Sequence, residues 1–303
     1  MSASTDQGKT LRLVWPQWQG AAPDVVALLT PELPLPSAQL GYHLGSRMLQ
    51  WLAPAADGPE VVVPVPTERE GLTSTDGVFA REVVLEQLTA ALAAIGAEAP
   101  DRIVTLGGEC SVSVAPFAYL AAKYGEDLAV VWLDAHPDTG MPESRYDGYH
   151  AMAVSHILGH GDKEFVEALP ATVAPSRLAL AGLHVWEDDQ EPFTTGWGLT
   201  TFAPADLEHD SRPLLEWLRA TGCSKVALHL DVDSVDSNDI VLGLGMEPDG
   251  LSREAVLRTI NDVAGVADVV GITVAEYLPR QVIAMRELLS RLPLLGRRAD
   301  PAE

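Results

Sequence analysis

Only two cysteines, Cys110 and Cys223, occur in 303 residues, too few for a disulfide-stapled scaffold. Basic residues are also scarce. The 20 Lys and Arg stand against 43 Asp and Glu, a formal charge of −23 that opposes non-specific binding to nucleic acid or to an anionic membrane. No apolar run approaches the length of a membrane span, and no basic-then-apolar segment opens the chain, so the expected location is cytoplasmic. Low-complexity tracts, internal repeats and composition shifts that would mark a linker are absent as well. Against these absences, 47% hydrophobic and 21% charged residues are enough for a large core. The acidic excess reads first as a solvated surface, and second as a field that steers a cationic substrate.

Strand-like and helix-like patterns alternate nearly throughout. Apolar runs at Val61 to Val65, Arg102 to Leu106, Leu128 to Leu133, Leu178 to Leu183, Val226 to Leu230 and Val269 to Val274 have the character of buried parallel strands. Helical periodicity lies between them at Ala80 to Ile95, Val114 to Tyr124, His150 to Leu158, Pro213 to Ala220, Arg253 to Val263 and Gln281 to Leu289. Ser211 and Ser252 are placed as N-caps. The region through Trp51, with Pro16, Pro23, Pro34 and Pro36, reads as a strand, a wrapping loop and a helix from about Ala38. This order predicts an α/β fold with a mainly parallel sheet covered by helices on both faces.

Three fragments carry the chemistry. Cys110 follows Gly107, Gly108 and Glu109; Asp134, His136 and Asp138 are spaced by two; so are Asp231 and Asp233, with Asp236 behind them. An extended strand end points such residues to one side, and open α/β sheets place ligands at the carboxyl ends of their strands. The bland reading is strand-end acids capping the next loops. Clustered acids, however, repel one another and resist burial unless cations neutralise them, so the spacing points to two divalent metal ions. A carboxylate-rich set with imidazole suits Mn²⁺, with Zn²⁺, Co²⁺ and Fe²⁺ compatible.

Taken together, Gly-Gly-Glu-Cys-Ser, Asp-Ala-His-Pro-Asp, Asp-Val-Asp with Asp236, and Glu276 after a late strand resemble the ureohydrolases, the arginase, agmatinase and formiminoglutamase family, over residues 102 to 279. The resemblance implies one arginase-like three-layer α/β/α domain over residues 1–303, a two-manganese centre, hydrolysis of a guanidino or formimino C–N bond, and a homo-oligomer, trimer or hexamer. Carried over, Asp134 and Asp231 touch both metals, Cys110 and Asp138 complete one shell, and His136 and Asp233 complete the other. His150 matches the proton-shuttling histidine and Glu276 the acid that holds the planar cation. Two metal ions lower the pKa of a water bound between them, and a carboxylate matches parallel amidinium N–H groups.

Several positions depart from the family. Histidine is usual where this chain has Cys110, and aspartate where it has Glu109; a thiolate shifts preference toward Zn²⁺ and brings sensitivity to oxidation. His229 stands where many members have serine, and Ser237 where they have proline. The cysteine and His229 together make the chain partly similar to the Nω-hydroxy-L-arginine hydrolases, although His229 also reads as a satisfied core histidine. The stretch from Asp138 to His150 lacks the asparagine and hydroxyl pattern that holds an α-amino acid. Glu187 for a substrate ammonium and Arg145 for a carboxylate are the substitutes considered. Open alternatives are a hydroxyguanidine or formimino substrate, a non-catalytic metal-depleted relative with a binding role, and a zinc hydrolase of acylated amines.

Overall fold

The computed structural model describes residues 8–295 except Glu32 and Glu187. Among the described residues ten strands are formed: β1 (Thr10–Trp15), β2 (Glu60–Val62), β3 (Ser74–Thr75), β4 (Val78–Phe79), β5 (Arg102–Gly107), β6 (Leu128–Leu133), β7 (Leu178–Ala181), β8 (Thr200–Phe202), β9 (Lys225–Asp231) and β10 (Asp268–Ala275). Strands β3 and β4 make a small antiparallel pair. The other eight form one sheet in the order β2-β1-β5-β10-β9-β6-β7-β8, parallel at every pairing.

Alternation along each strand splits the apolar residues between two layers. On β6, Leu128, Val130 and Trp132 join one core, while Ala129, Val131 and Leu133 join the other. Helices Arg81–Glu98 and Val114–Tyr124 supply Val84, Leu88, Phe117 and Leu120 to the first core. Helices Arg212–Thr221, Arg253–Val266 and Val282–Arg291 supply Leu214, Ile260 and Leu288 to the second. The expected α/β/α layering is therefore present.

Boundaries differ in instructive ways. The helix expected at Pro213 begins at Arg212, and Ser211 does not cap it. Asp210 does so, its Oδ1 accepting from Arg212 N at 2.9 Å, because Ser211 Oγ is turned toward Thr259 and Arg258. Ser252 does cap its helix, accepting from Ala255 N. The stretch expected to be a helix from His150 opens as a 3-10 turn, Tyr149–Met152, before Ala153–Ile157.

Candidate metal and substrate site

Four neighbouring strands, β5, β10, β9 and β6, end at one rim, and each delivers a polar group there. Past β5 the chain turns through Gly107 and Gly108 into the 3-10 turn Cys110–Ser113. A Cβ on Gly108 would lie 1.7 Å from the Gln17 carbonyl, so only glycine fits. Glu109 is buried and caps the turn: its carboxylate accepts from Ser111 N at 2.7 Å and from Gln17 Nε2 at 2.5 Å. Past β10 comes Glu276, 5% exposed and at φ +64°, a backbone conformation unusual for glutamate. Its Oε1 accepts from Cys110 N at 3.0 Å.

Strand register alone brings the two key acids level. Leu133 pairs with Leu230, so Asp134 and Asp231, one residue on, stand side by side. Each uses one oxygen as a cap: Asp134 Oδ1 accepts from His136 N at 2.7 Å, and Asp231 Oδ1 from Asp233 N at 2.8 Å. The other oxygen faces the site. Asp134 Oδ2 accepts from Trp132 Nε1 at 3.0 Å, and Asp231 Oδ2 accepts from the Cys110 thiol at 2.9 Å. Loop-capping and convergence are thus both real, and Asp134 Oδ1 does both, since it also lies 3.5 Å from His136 Nδ1.

Extended alternation does not extend to the rest of the motif. Residues after Leu133 leave the strand, Asp138 has φ +49°, and Asp233 lies in the 3-10 turn Val232–Ser234. Among the described residues two groups of donor atoms form, each group lying within 4.8 Å: Cys110, Asp134, His229 and Asp231; and Asp134, His136 and Asp233. His136 Nδ1 lies 3.2 Å from Asp233 and 3.5 Å from Asp134. Asp138 joins neither group. It is buried beside them, and its Oδ2 has no hydrogen-bond partner.

Such crowding shows in the titration of the groups. Burial, then Asp233, pushes Asp134 up to about 6. Burial and neighbouring carboxylates push Asp138, Asp231 and the Cys110 thiol well up. Burial opposes protonation of His136, but Asp233 and Asp134 outweigh it and raise its pKa. His229, wholly buried, is pushed down to about 3. An orphaned carboxylate oxygen and acids that burial keeps from ionising fit divalent cations, whose charge would reverse those shifts.

The groups border a cavity of about 220 Å³. Its lining includes Tyr42, His136, Asp138, His150 and Glu276, together with Val25, Leu29, Arg145 and Asp189. His150 is fixed at both ring nitrogens, with Nδ1 3.2 Å from Glu276 Oε1 and Nε2 2.7 Å from the Tyr146 hydroxyl. Burial lowers its basicity, but Glu276 prevails and raises it. Arg145 is exposed, and its backbone N donates to Asp189 Oδ2 at 2.7 Å. Glu187 lies outside the described residues.

Sequence reasoning missed Tyr42, Tyr146 and Asp189, and left His229 between a family departure and a core histidine. For His229 a signal existed: it precedes Asp231 by two, as Trp132 precedes Asp134, and period two puts each pair on one face. The tyrosines carry no such local mark.

Comparison with known proteins agrees with this architecture. A family model described as the arginase family matches residues 37–288. Arginase from Staphylococcus aureus (strain MSSA476) is 27% identical over 214 residues, 66% of this chain and 69% of that one. Arginase from Entamoeba histolytica is 22% identical over 241 residues, covering 77% and 81%. In solved structures, Entamoeba histolytica arginase in complex with L-ornithine superposes with a TM-score of 0.79 at 18% identity, covering 94% of this chain and 98% of that one. Proclavaminate amidino hydrolase from Streptomyces clavuligerus gives 0.69 at 17% identity, covering 95% and 91%. A family match over most of its length, on a fold that gathers the motif acids at one sheet rim, makes this chain a member of the arginase family, a ureohydrolase-type enzyme.

Proposed function

We propose that the enzyme hydrolyses a linear amidine C–N bond, cleaving a guanidino compound to urea, or a substituted urea, and an amine. The observation that carries this is one cavity bordered by both donor groups and by Glu276 and His150. Asp134, Asp231, Cys110 and Asp138 would hold one divalent ion, and His136 and Asp233, with the same two aspartates, would hold the other. Mn²⁺ suits the carboxylates, and Zn²⁺ suits the thiolate. When bound, such ions neutralise the acids and make hydroxide available near neutral pH.

Glu276 accepts the parallel N–H groups of the planar cation and orients its central carbon toward the acids. Asp138, whose Oδ2 has no partner, takes the proton lost by the attacking water. His150, held between Tyr146 and Glu276, delivers a proton to the leaving nitrogen. Arg145 pairs with a carboxylate on the substrate tail, while Val25 and Leu29 pack against its methylenes. Glu187 remains the proposed partner for an ammonium.

A panel of guanidino compounds, including N-hydroxylated arginine and a formimino compound, tests the reading when assayed with Mn²⁺ and with Zn²⁺ after anaerobic purification. Release of urea, hydroxyurea or formamide identifies the substrate group. No turnover of any panel member with either ion would refute the reading.

A further inference from the structure

His229 is packed in the core and also stands in the first donor group. It pairs across the sheet with Trp132, and the rings stack at 3.6 Å between centroids with 7° between planes. Its Nδ1 lies 2.8 Å from Ser113 Oγ. Clamped on its face and at one nitrogen, the ring has a single direction left for Nε2, which lies 3.4 Å from Cys110 Sγ and 4.0 Å from Asp134 Oδ2. Cys110 Sγ in turn lies 2.9 Å from Asp231 Oδ2 and 3.8 Å from Asp134 Oδ2.

Those separations match the edges of a coordination tetrahedron. With metal–sulfur near 2.3 Å and metal–nitrogen or metal–oxygen near 2.0–2.1 Å, donor atoms sit about 3.3–3.6 Å apart. The observed distances run from 2.9 to 4.0 Å, so shifts of roughly half an ångström close the shell. In this shell His229 takes the place given above to Asp138, which lies outside the donor group and whose unpartnered buried oxygen is left to accept a proton at the cavity.

We propose that His229 Nε2 and Cys110 Sγ, with Asp134 and Asp231, form a sulfur, nitrogen and two-oxygen site for a thiophilic ion of the Zn²⁺ class. The imidazole missing at position 110 is supplied from strand β9 instead. On binding, the Cys110 thiol loses its proton to solvent, and the ring takes the tautomer in which Nδ1–H donates to Ser113 Oγ, leaving the Nε2 lone pair for the ion. The second group, Asp134, His136 and Asp233, keeps the oxygen-rich character that suits Mn²⁺, so the centre holds two unlike ions. This inference rests on the metal-dependent part of the proposed function and on nothing about substrate.

Anaerobic titration of the metal-free full chain with Co²⁺ tests it. The expected spectrum has a near-ultraviolet thiolate-to-cobalt charge-transfer band with intense visible bands of a four-coordinate ion. Cys110→Ser removes the former; His229→Phe keeps it, shifts the visible bands and weakens Co²⁺ binding at least about tenfold. Wild-type protein loaded at both groups shows hyperfine-shifted exchangeable imidazole N–H protons from His136 and His229, which answers the question even where His229→Phe fails to fold. No charge-transfer band in the wild type, an unaltered His229→Phe spectrum, or a single such proton would overturn the proposal. Expected spectra without turnover of any guanidino compound would remove the proposed substrate and leave this site standing.

Discussion

At the scale of single residues, His150 is the most exposed to test. Its position between Tyr146 and Glu276 predicts that His150→Asn lowers kcat by roughly 10²–10⁴, with KM little changed. Tyr146→Phe keeps the imidazole but frees Nε2, and shifts the alkaline limb of the kcat profile, where the proton donor is lost; equal activity for His150→Asn and wild type would remove it from proton delivery. Arg145→Ala should raise KM for a carboxylate-tailed substrate and leave kcat near wild type, since the contact is present in ground and transition states alike. The raised pKa values carry their own sign. Asp134, at about 6 in the metal-free fold against an ordinary value of 3.8, stabilises that fold below its ordinary range, and this contribution is lost as pH rises through about 6. Metal binds the ionised form, so the gain in Tm on adding Mn²⁺ should grow as pH climbs through that window; a gain independent of pH would show that the ion does not meet these carboxylates. Period-two spacing made Asp134 and Asp231 legible in the sequence. Asp138 and Glu276 owe their placement to left-handed backbone at φ +49° and +64°, and Tyr42 and Tyr146 to packing between distant segments, which spacing does not encode.

At the scale of elements, the clearest non-site prediction concerns Asp162. It caps helix Lys163–Ala168 through Glu164 N and Phe165 N, and its carboxylate accepts from Arg81 Nε and Nη2, both at 2.9 Å. Arg81 is 13% exposed and Asp162 8%, so Asp162→Ala removes a cap and leaves a half-buried guanidinium with Glu164 alone. A loss of about 3 kcal/mol is expected, read as a lower midpoint in denaturant at unchanged slope; a change within about 0.5 kcal/mol would place the ion pair among ordinary surface pairs. The central strands were readable because β6 and β9 are buried on both faces. Strand β8, three residues long at the sheet edge and half exposed, has no apolar run to announce it. The strand order, with β10 between β5 and β9, follows from tertiary pairing and was not legible at all.

At the scale of the whole molecule, no described helix is long and apolar enough to cross a membrane. Leu44 and Trp51, seven apart on helix Leu35–Leu52 and 57% and 75% exposed, share a face, and Leu28 and Ile283 are 76% and 77% exposed on helices that pack against that one. Exposed apolar groups of this kind are candidates for contacts between subunits, and the trimer or hexamer that the family resemblance implies is tested directly. Light scattering should give a multiple of 32.4 kDa, and Trp51→Glu should lower it; a wild-type monomer would remove the oligomer. The central claim is that acids from two distant stretches gather divalent ions. Its most direct test is metal content by mass spectrometry after equilibrium dialysis, for wild type and for Asp231→Asn. Two ions per wild-type chain and a marked loss in Asp231→Asn are predicted, whereas a wild type that binds none, or a variant that binds as many, would contradict the account.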